Sequence, residues 1–138
     1  AVARISHLGH VLAEALALAG GRGGDLALAL GAGSFRDGTR VAATAPELVR
    51  AICEPNRDAL LAVLDECLAD LGAARDSLAA RGTLGSLVDD GHTARRAYED
   101  LHSARTDAEP VSIRPGAPGW LEVLRAAGAA GLEVRPGG

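Results

Sequence analysis

The sequence has 138 residues, of which 48% are hydrophobic and 2% aromatic, and its formal net charge is −4 at pH 7. This length accommodates one helical domain with a core and a short appendage, but not two full-sized domains. Because charges of both signs are interspersed without a basic stripe, nucleic acid is not an expected partner. Glycines and charged residues interrupt the apolar stretch 11–30, so a membrane span is not expected.

The first predicted helix covers residues 2–18, where apolar residues recur every three or four positions. It carries His7 and His10, whose spacing places both imidazoles on one helix face. A second helix is predicted over 25–30, because Asp25 at its start is suited to the N-cap position. The Gly-rich corner 31–33 ends that helix.

Further along the chain, Arg40 is expected just beyond a helix end, and a short helix is predicted over 46–53. Thr44 or the next residue would cap this helix, with Pro46 in the first turn and Glu47 completing a capping box with Thr44. Helix start signals of this kind fix where the segment begins.

A long helix is predicted from about residue 55 to 81, where apolar residues follow a heptad spacing. Neighbouring apolar residues, Leu61, Val63 and Leu68, widen this stripe. We therefore expect the helix to pack against more than one partner helix, of which one could belong to another subunit. The residues of this heptad seam are Leu60, Leu64, Cys67, Leu71, Ala74 and Leu78.

The last part of the chain is predicted to hold a helix over 84–103, a polar linker over 106–110, and a strand-helix-strand tail. The tail elements are expected at 111–114, 118–130 and 132–135. Two short strands do not form a stable sheet alone, so the tail should dock on the bundle, pair with another copy, or be incomplete.

The predicted fold is therefore mainly α, a bundle of about five helices with a small C-terminal strand-helix-strand tail. We expect a helical domain over 1–104, followed by the linker and tail over 105–138. Cys53 and Cys67 lie in helical surroundings without a secretory signal, so reduced thiols in a cytoplasmic protein are expected. The chain contains no methionine, and we expect it to be a piece of a longer protein.

The candidate site combines His7 and His10 with Arg40. Imidazoles can donate from either nitrogen, and a guanidinium can bind a carboxylate through two hydrogen bonds, so a small organic anion is the expected ligand. Asp37 could hold that guanidinium in place or contact another subunit. The structural alternative is a pair of packed histidines and an Asp-Arg pair at a helix end. A metal site is not expected, because two imidazoles without a third ligand bind zinc poorly.

Four motifs occur in a specific order: Ile5-Ser6-His7-Leu8-Gly9-His10, then Gly33-Ser34-Phe35-Arg36-Asp37-Gly38-Thr39-Arg40-Val41-Ala42, then Ala45-Pro46-Glu47-Leu48, then Asn56-Arg57. This set resembles the C-terminal helical domain of the prephenate dehydrogenase family, arogenate dehydrogenases included. The resemblance covers residue 1 to about 104. It departs from the family pattern at Gly9, often proline there, at Ala32, often glycine, and at Thr44-Ala45, commonly Ser-Asp. The tail from 111 resembles half of an ACT-type regulatory module.

The resemblance implies that His7, His10 and Arg40 line a cleft for prephenate or arogenate, with Gly33 and Asp37 shaping its wall. It implies no catalytic or cofactor-binding residue in this chain, because NAD or NADP would be held mainly by an N-terminal dinucleotide-binding domain. The helical domain would form a homodimer, and tyrosine is a candidate inhibitor. The piece alone would be inactive in the oxidative decarboxylation that leads to tyrosine.

Two other interpretations remain open at this stage. A non-catalytic helical dimerisation or interaction module would use the long heptad helix for assembly, and the polar corner would be only a turn. Alternatively, the chain could be the helical domain of another two-domain dehydrogenase with a different acid substrate.

Overall fold

The computed structural model describes residues 1–106 and 109–137, and of residues 105 and 106 it describes only the backbone. By their contacts the residues group into two compact units, Ala1–Thr83 and Leu84–Gly138. We predict a domain boundary at residue 104, and this boundary stays a prediction.

The described part of the chain is mainly helical, and the expected fold class is confirmed. None of its helices has the length and apolar character that crossing a lipid bilayer requires. The elements in chain order are α1 (Leu8–Gly21), α2 (Gly24–Ala29), α3 (Gly33–Thr39), α4 (Pro46–Cys53), α5 (Arg57–Arg81), α6 (Leu87–Thr106), β1 (Val111–Ile113), α7 (Trp120–Ala130) and β2 (Val134–Pro136).

The chain enters the first unit through a π-helical turn, Ala3–His7, that continues directly into α1. The sequence predicts one uninterrupted α-helix here, and the wider turn is a difference that the apolar spacing does not reveal. Ala3, His7 and Ala13 are the buried residues of this segment. The turn packs against α4 and α5.

Helix α1 packs closely on α3 and on the 3₁₀ turn Arg40–Ala43 that follows it. Small residues permit this approach. A Cβ atom added at Gly20 would overlap the Phe35 ring, and one added at Gly38 would lie 2.9 Å from Cδ2 of Leu16. Arg40 is the C-cap of α3, so its expected place just beyond a helix end is confirmed.

Helix α4 begins with Pro46 in its first turn, as predicted. The predicted capping box is wrong. The N-cap is Ala45, no side chain caps the helix, and Thr44 ends the preceding 3₁₀ turn in an extended conformation. Pro46 supplies no N–H, so the start of the helix has one fewer unpaired N–H group.

Helix α5 follows a short 3₁₀ turn, Glu54–Asn56, and ends at Gly82, whose φ of 70° favours glycine. Only Val63, Ala74 and Ser77 are buried along it. Most of its large apolar side chains therefore lie at the surface: Leu61 is 49% exposed, Leu68 56%, Leu71 47% and Leu78 51%.

The second unit contains α6 and the expected strand-helix-strand tail. β1 and β2 pair in parallel, with Val111 opposite Val134 and Ile113 opposite Pro136. Helix α7 connects them, because parallel strands need a crossover. Ile113 and Ala127 are buried between helix and sheet. The predicted linker 106–110 lies partly outside the described residues, since 107 and 108 are not among them.

Candidate functional site

The two histidines of the first segment lie in different environments. His7 ends the π-helical turn and is 7% exposed. Its Nδ1 lies 3.3 Å from Nδ2 of Asn56, which comes immediately before α5. His7 is therefore a buried, hydrogen-bonded histidine that joins the start of the chain to the beginning of the long helix.

His10 lies one turn further along, on α1, and is half-buried. Its Nδ1 is buried without a hydrogen-bond partner among the described residues. Buried polar atoms in proteins almost always have a partner, because an unsatisfied one costs about 1–3 kcal/mol. This ring nitrogen therefore lacks the hydrogen bond that a buried polar atom ordinarily has.

Helix α3 positions the other three candidate residues. Gly33 is its first residue and is half-buried, after an extended Ala32. Asp37 is exposed and lies 3.5 Å from the guanidinium of Arg36, so the predicted pairing of Asp37 with Arg40 does not occur within the described chain. Arg40 is exposed at the end of the helix and has no ion pair among the described residues.

The elements that carry His10, Gly33, Asp37 and Arg40 pack against one another. Helix α1, which carries His10, contacts both α3 and the turn that starts at Arg40. The helix and the turn are therefore in contact, whereas the expected convergence of the three side chains stays a prediction. That the imidazoles and the guanidinium bind one ligand stays a prediction.

Sequence reasoning does not assign a role to Asn56, although the Asn56-Arg57 dipeptide belongs to the ordered motif set. The residue is 49 positions from His7, and only the packing of the π-helical turn on α5 brings the two together. The residue type indicates a different role, because an asparagine directly before a long helix usually caps that helix.

A second link also ties the π-helical turn to α5. Arg4 Nη1 donates to Glu66 Oε2 at 2.7 Å, and Nη2 donates to Oε1 at 3.0 Å. This hydrogen-bonded pairing lowers the pKa of Glu66, and the attraction of the two charges adds to the effect. Both side chains are exposed, so the pair orients the elements more than it stabilises them.

Cys53 at the end of α4 is buried, and burial, followed by the nearby charge of Glu54, raises the pKa of its thiol. Such a thiol is a poor nucleophile near neutral pH. The described residues include no cluster of three histidine, cysteine or carboxylate groups with which to hold a metal ion.

An open depression at the start of α5 is lined by Asn56 and its neighbours from Glu54 to Ala59. Another depression lies along the second half of α1, between Glu14 and Arg22. Neither includes His10 or Arg40.

Comparison with known proteins identifies the family. Residues 1–89 match the sequence profile of the family described as prephenate dehydrogenase, dimerization domain. The match covers more than half of the chain, and the chain therefore belongs to this family.

Two relatives extend the comparison. The cyclohexadienyl dehydrogenase of Zymomonas mobilis is 40% identical over 84 residues, which are 58% of this chain and 29% of that enzyme. A crystal structure from Corynebacterium glutamicum, of a protein assigned as a prephenate dehydrogenase, is 44% identical with a TM-score of 0.80. It covers 99% of this chain, and this chain covers 41% of it. The chain thus spans less than half of either relative.

Proposed function

We propose that this chain is the helical, substrate-binding and dimerising part of a prephenate or arogenate dehydrogenase. Membership of the family and the names of both relatives support the proposal. The single observation that carries the binding role is the packing of α1, which bears the unpartnered Nδ1 of His10, against the turn that begins at Arg40. The proposed location is the cytoplasm.

In the proposed reaction, the substrate ring loses its carboxylate as CO₂ and a hydride from its hydroxyl-bearing carbon, which NAD or NADP accepts when bound. The described residues do not fit a dinucleotide site, because the glycine-rich corner 31–33 follows a helix and not a strand. The cofactor would therefore be held elsewhere in the protein.

The residues of this chain would bind and orient the substrate. Arg40 can hold a carboxylate through two parallel hydrogen bonds, because its guanidinium is exposed and unpaired within the described chain. His10 supplies a ring nitrogen that is buried and needs a partner. Fixing the substrate in this way can contribute several orders of magnitude to the rate. Gly33 and Asp37 would shape the adjacent wall.

A dimer is the second part of the proposal, and the surface of the chain supports it. No large side chain of the described residues is fully buried. The exposed leucines of α5 are the natural contact surface, because their burial against a second copy would complete the core.

Substitution of Arg40 tests the binding role in the intact protein. We expect Arg40→Ala to raise KM for prephenate or arogenate by about 10- to 150-fold, since a hydrogen-bonded charge is lost. Steady-state kinetics with both substrates measure this and identify the preferred one. Calorimetric titration with tyrosine shows whether the same surface takes the inhibitor.

Arg50→Ala is the matched control, because Arg50 is an exposed arginine on the neighbouring helix α4. It should leave KM within about two-fold of the unmodified protein. Equal KM values for the two variants would remove Arg40 from the site. Failure of the intact protein to bind or convert either substrate would favour an assembly module instead.

A further inference from the structure

Asn56 occupies a helix N-cap position without acting as a cap. It directly precedes the 25-residue helix α5, where asparagine normally accepts a hydrogen bond from the first turn. Its side chain makes no such bond. The amide nitrogen instead lies 3.3 Å from Nδ1 of His7. The side chain therefore contacts the histidine and does not stabilise the start of α5 as a cap.

The contact restricts the protonation of His7. An amide NH₂ group only donates, so Nδ1 must accept and carries no proton. The proton of the neutral ring then lies on Nε2, which makes this atom a hydrogen-bond donor. The ring cannot change its orientation freely, because His7 is 7% exposed and its turn packs against α4 and α5.

We propose that Asn56 is a positioning residue that fixes His7 in the tautomer protonated at Nε2 and so prepares it to donate to a bound substrate. The role in binding rests on the proposed function, whereas the tautomer does not. The substrate groups that fit an Nε2–H donor are a carboxylate or carbonyl oxygen.

Asn56→Asp is the sharpest test, because a carboxylate accepts where the amide donates. Nδ1 of His7 should then acquire a proton. A negative charge before the first turn also favours the helix dipole, so this variant should fold. Ala59→Asp is the matched control, since it adds the same charge at an exposed position in the first turn of α5.

Nitrogen-proton correlation spectra of histidine-labelled intact protein distinguish the two tautomers, and His7→Gln assigns the signal. We expect Nε2–H in the unmodified protein and in Ala59→Asp, and a protonated Nδ1 in Asn56→Asp. A protonated Nδ1 in the unmodified protein would overturn the proposal. An Nδ1 that stays unprotonated in Asn56→Asp would do the same.

Kinetics of the same variants test the link to the substrate. KM should rise by about 10-fold or more in Asn56→Asp and stay unchanged in Ala59→Asp. Altered protonation of His7 with an unchanged KM would overturn the role in binding. If the unmodified protein converts neither prephenate nor arogenate, the proposed function fails, and the spectra still decide whether Asn56 sets the tautomer.

Discussion

Helices α1 and α5 differ in how much of their surface packs on other elements of the described chain. Helix α1 packs on α2, on α3 and on the 3₁₀ turn that begins at Arg40, although Leu16 and Leu18 on it stay 42% and 61% exposed. Helix α5 leaves Leu68 and Leu71 about half exposed, at 56% and 47%. An apolar stripe therefore does not by itself show that elements of the same chain cover it.

The largest expected effect comes from placing charge on the α5 leucines. Leu68→Glu combined with Leu71→Glu should separate the dimer of the intact protein, because each substitution occurs twice at a symmetric interface. Loss of about 1.5–3 kcal/mol per buried leucine predicts that the dissociation constant rises at least about 10²-fold. Sedimentation equilibrium measures this constant.

The control for charge is Ala69→Glu combined with Ala73→Glu, on an exposed part of the same helix. These positions lie on the opposite side of α5 from the two leucines, by the 100° rotation per residue. The control should remain a dimer. If the unmodified protein sediments as a monomer at tens of micromolar, the contact surface proposed for α5 is refuted.

A smaller effect is expected from filling the close contact on the α1 side. Gly20→Ala places a methyl group against the Phe35 ring. Overpacking of this kind costs about 1–3 kcal/mol, which exceeds the gain of roughly 0.5–1 kcal/mol from better helix propensity. Thermal unfolding should therefore occur at a lower temperature.

Gly9→Ala is the matched substitution on the same helix, since an added Cβ meets nothing within 4 Å there. It should raise the melting temperature, because only the propensity gain remains. The two substitutions should therefore change the melting temperature in opposite directions. A higher melting temperature for Gly20→Ala would mean that α1 and α3 are packed more loosely than described.

The smallest effect is expected from the ion pair that links the π-helical turn Ala3–His7 to α5. Glu66→Gln removes the exposed pair with Arg4, and the melting temperature should fall slightly at low salt and not measurably at 1 M salt. The pair favours the carboxylate form, so the pKa of Glu66 is lowered. Its contribution is therefore present above the ordinary carboxyl pKa and disappears as the pH falls through the lowered value. A salt-independent loss would indicate packing rather than charge.

Much of the local structure could be predicted because its causes are local. Pro46 begins α4, Gly82 ends α5, and the strand-helix-strand order of the tail follows from short apolar runs separated by glycine and proline. The predicted capping box at Thr44 is wrong, since that residue ends a 3₁₀ turn that the pattern does not reveal. The π-helical turn before α1 is missed for a similar reason, because its residues also suit an α-helix.

For the candidate site, too, some features could be predicted from the sequence and others could not. The ordered motifs around His7, His10 and Arg40 indicate the family from the sequence, and the match over residues 1–89 agrees. The sequence determined residue types and helix faces, because these depend on neighbours within one or two turns. Only the tertiary structure placed Asn56 against His7 across 49 residues and left Nδ1 of His10 buried without a partner. Such contacts depend on how helices pack, which no local pattern encodes.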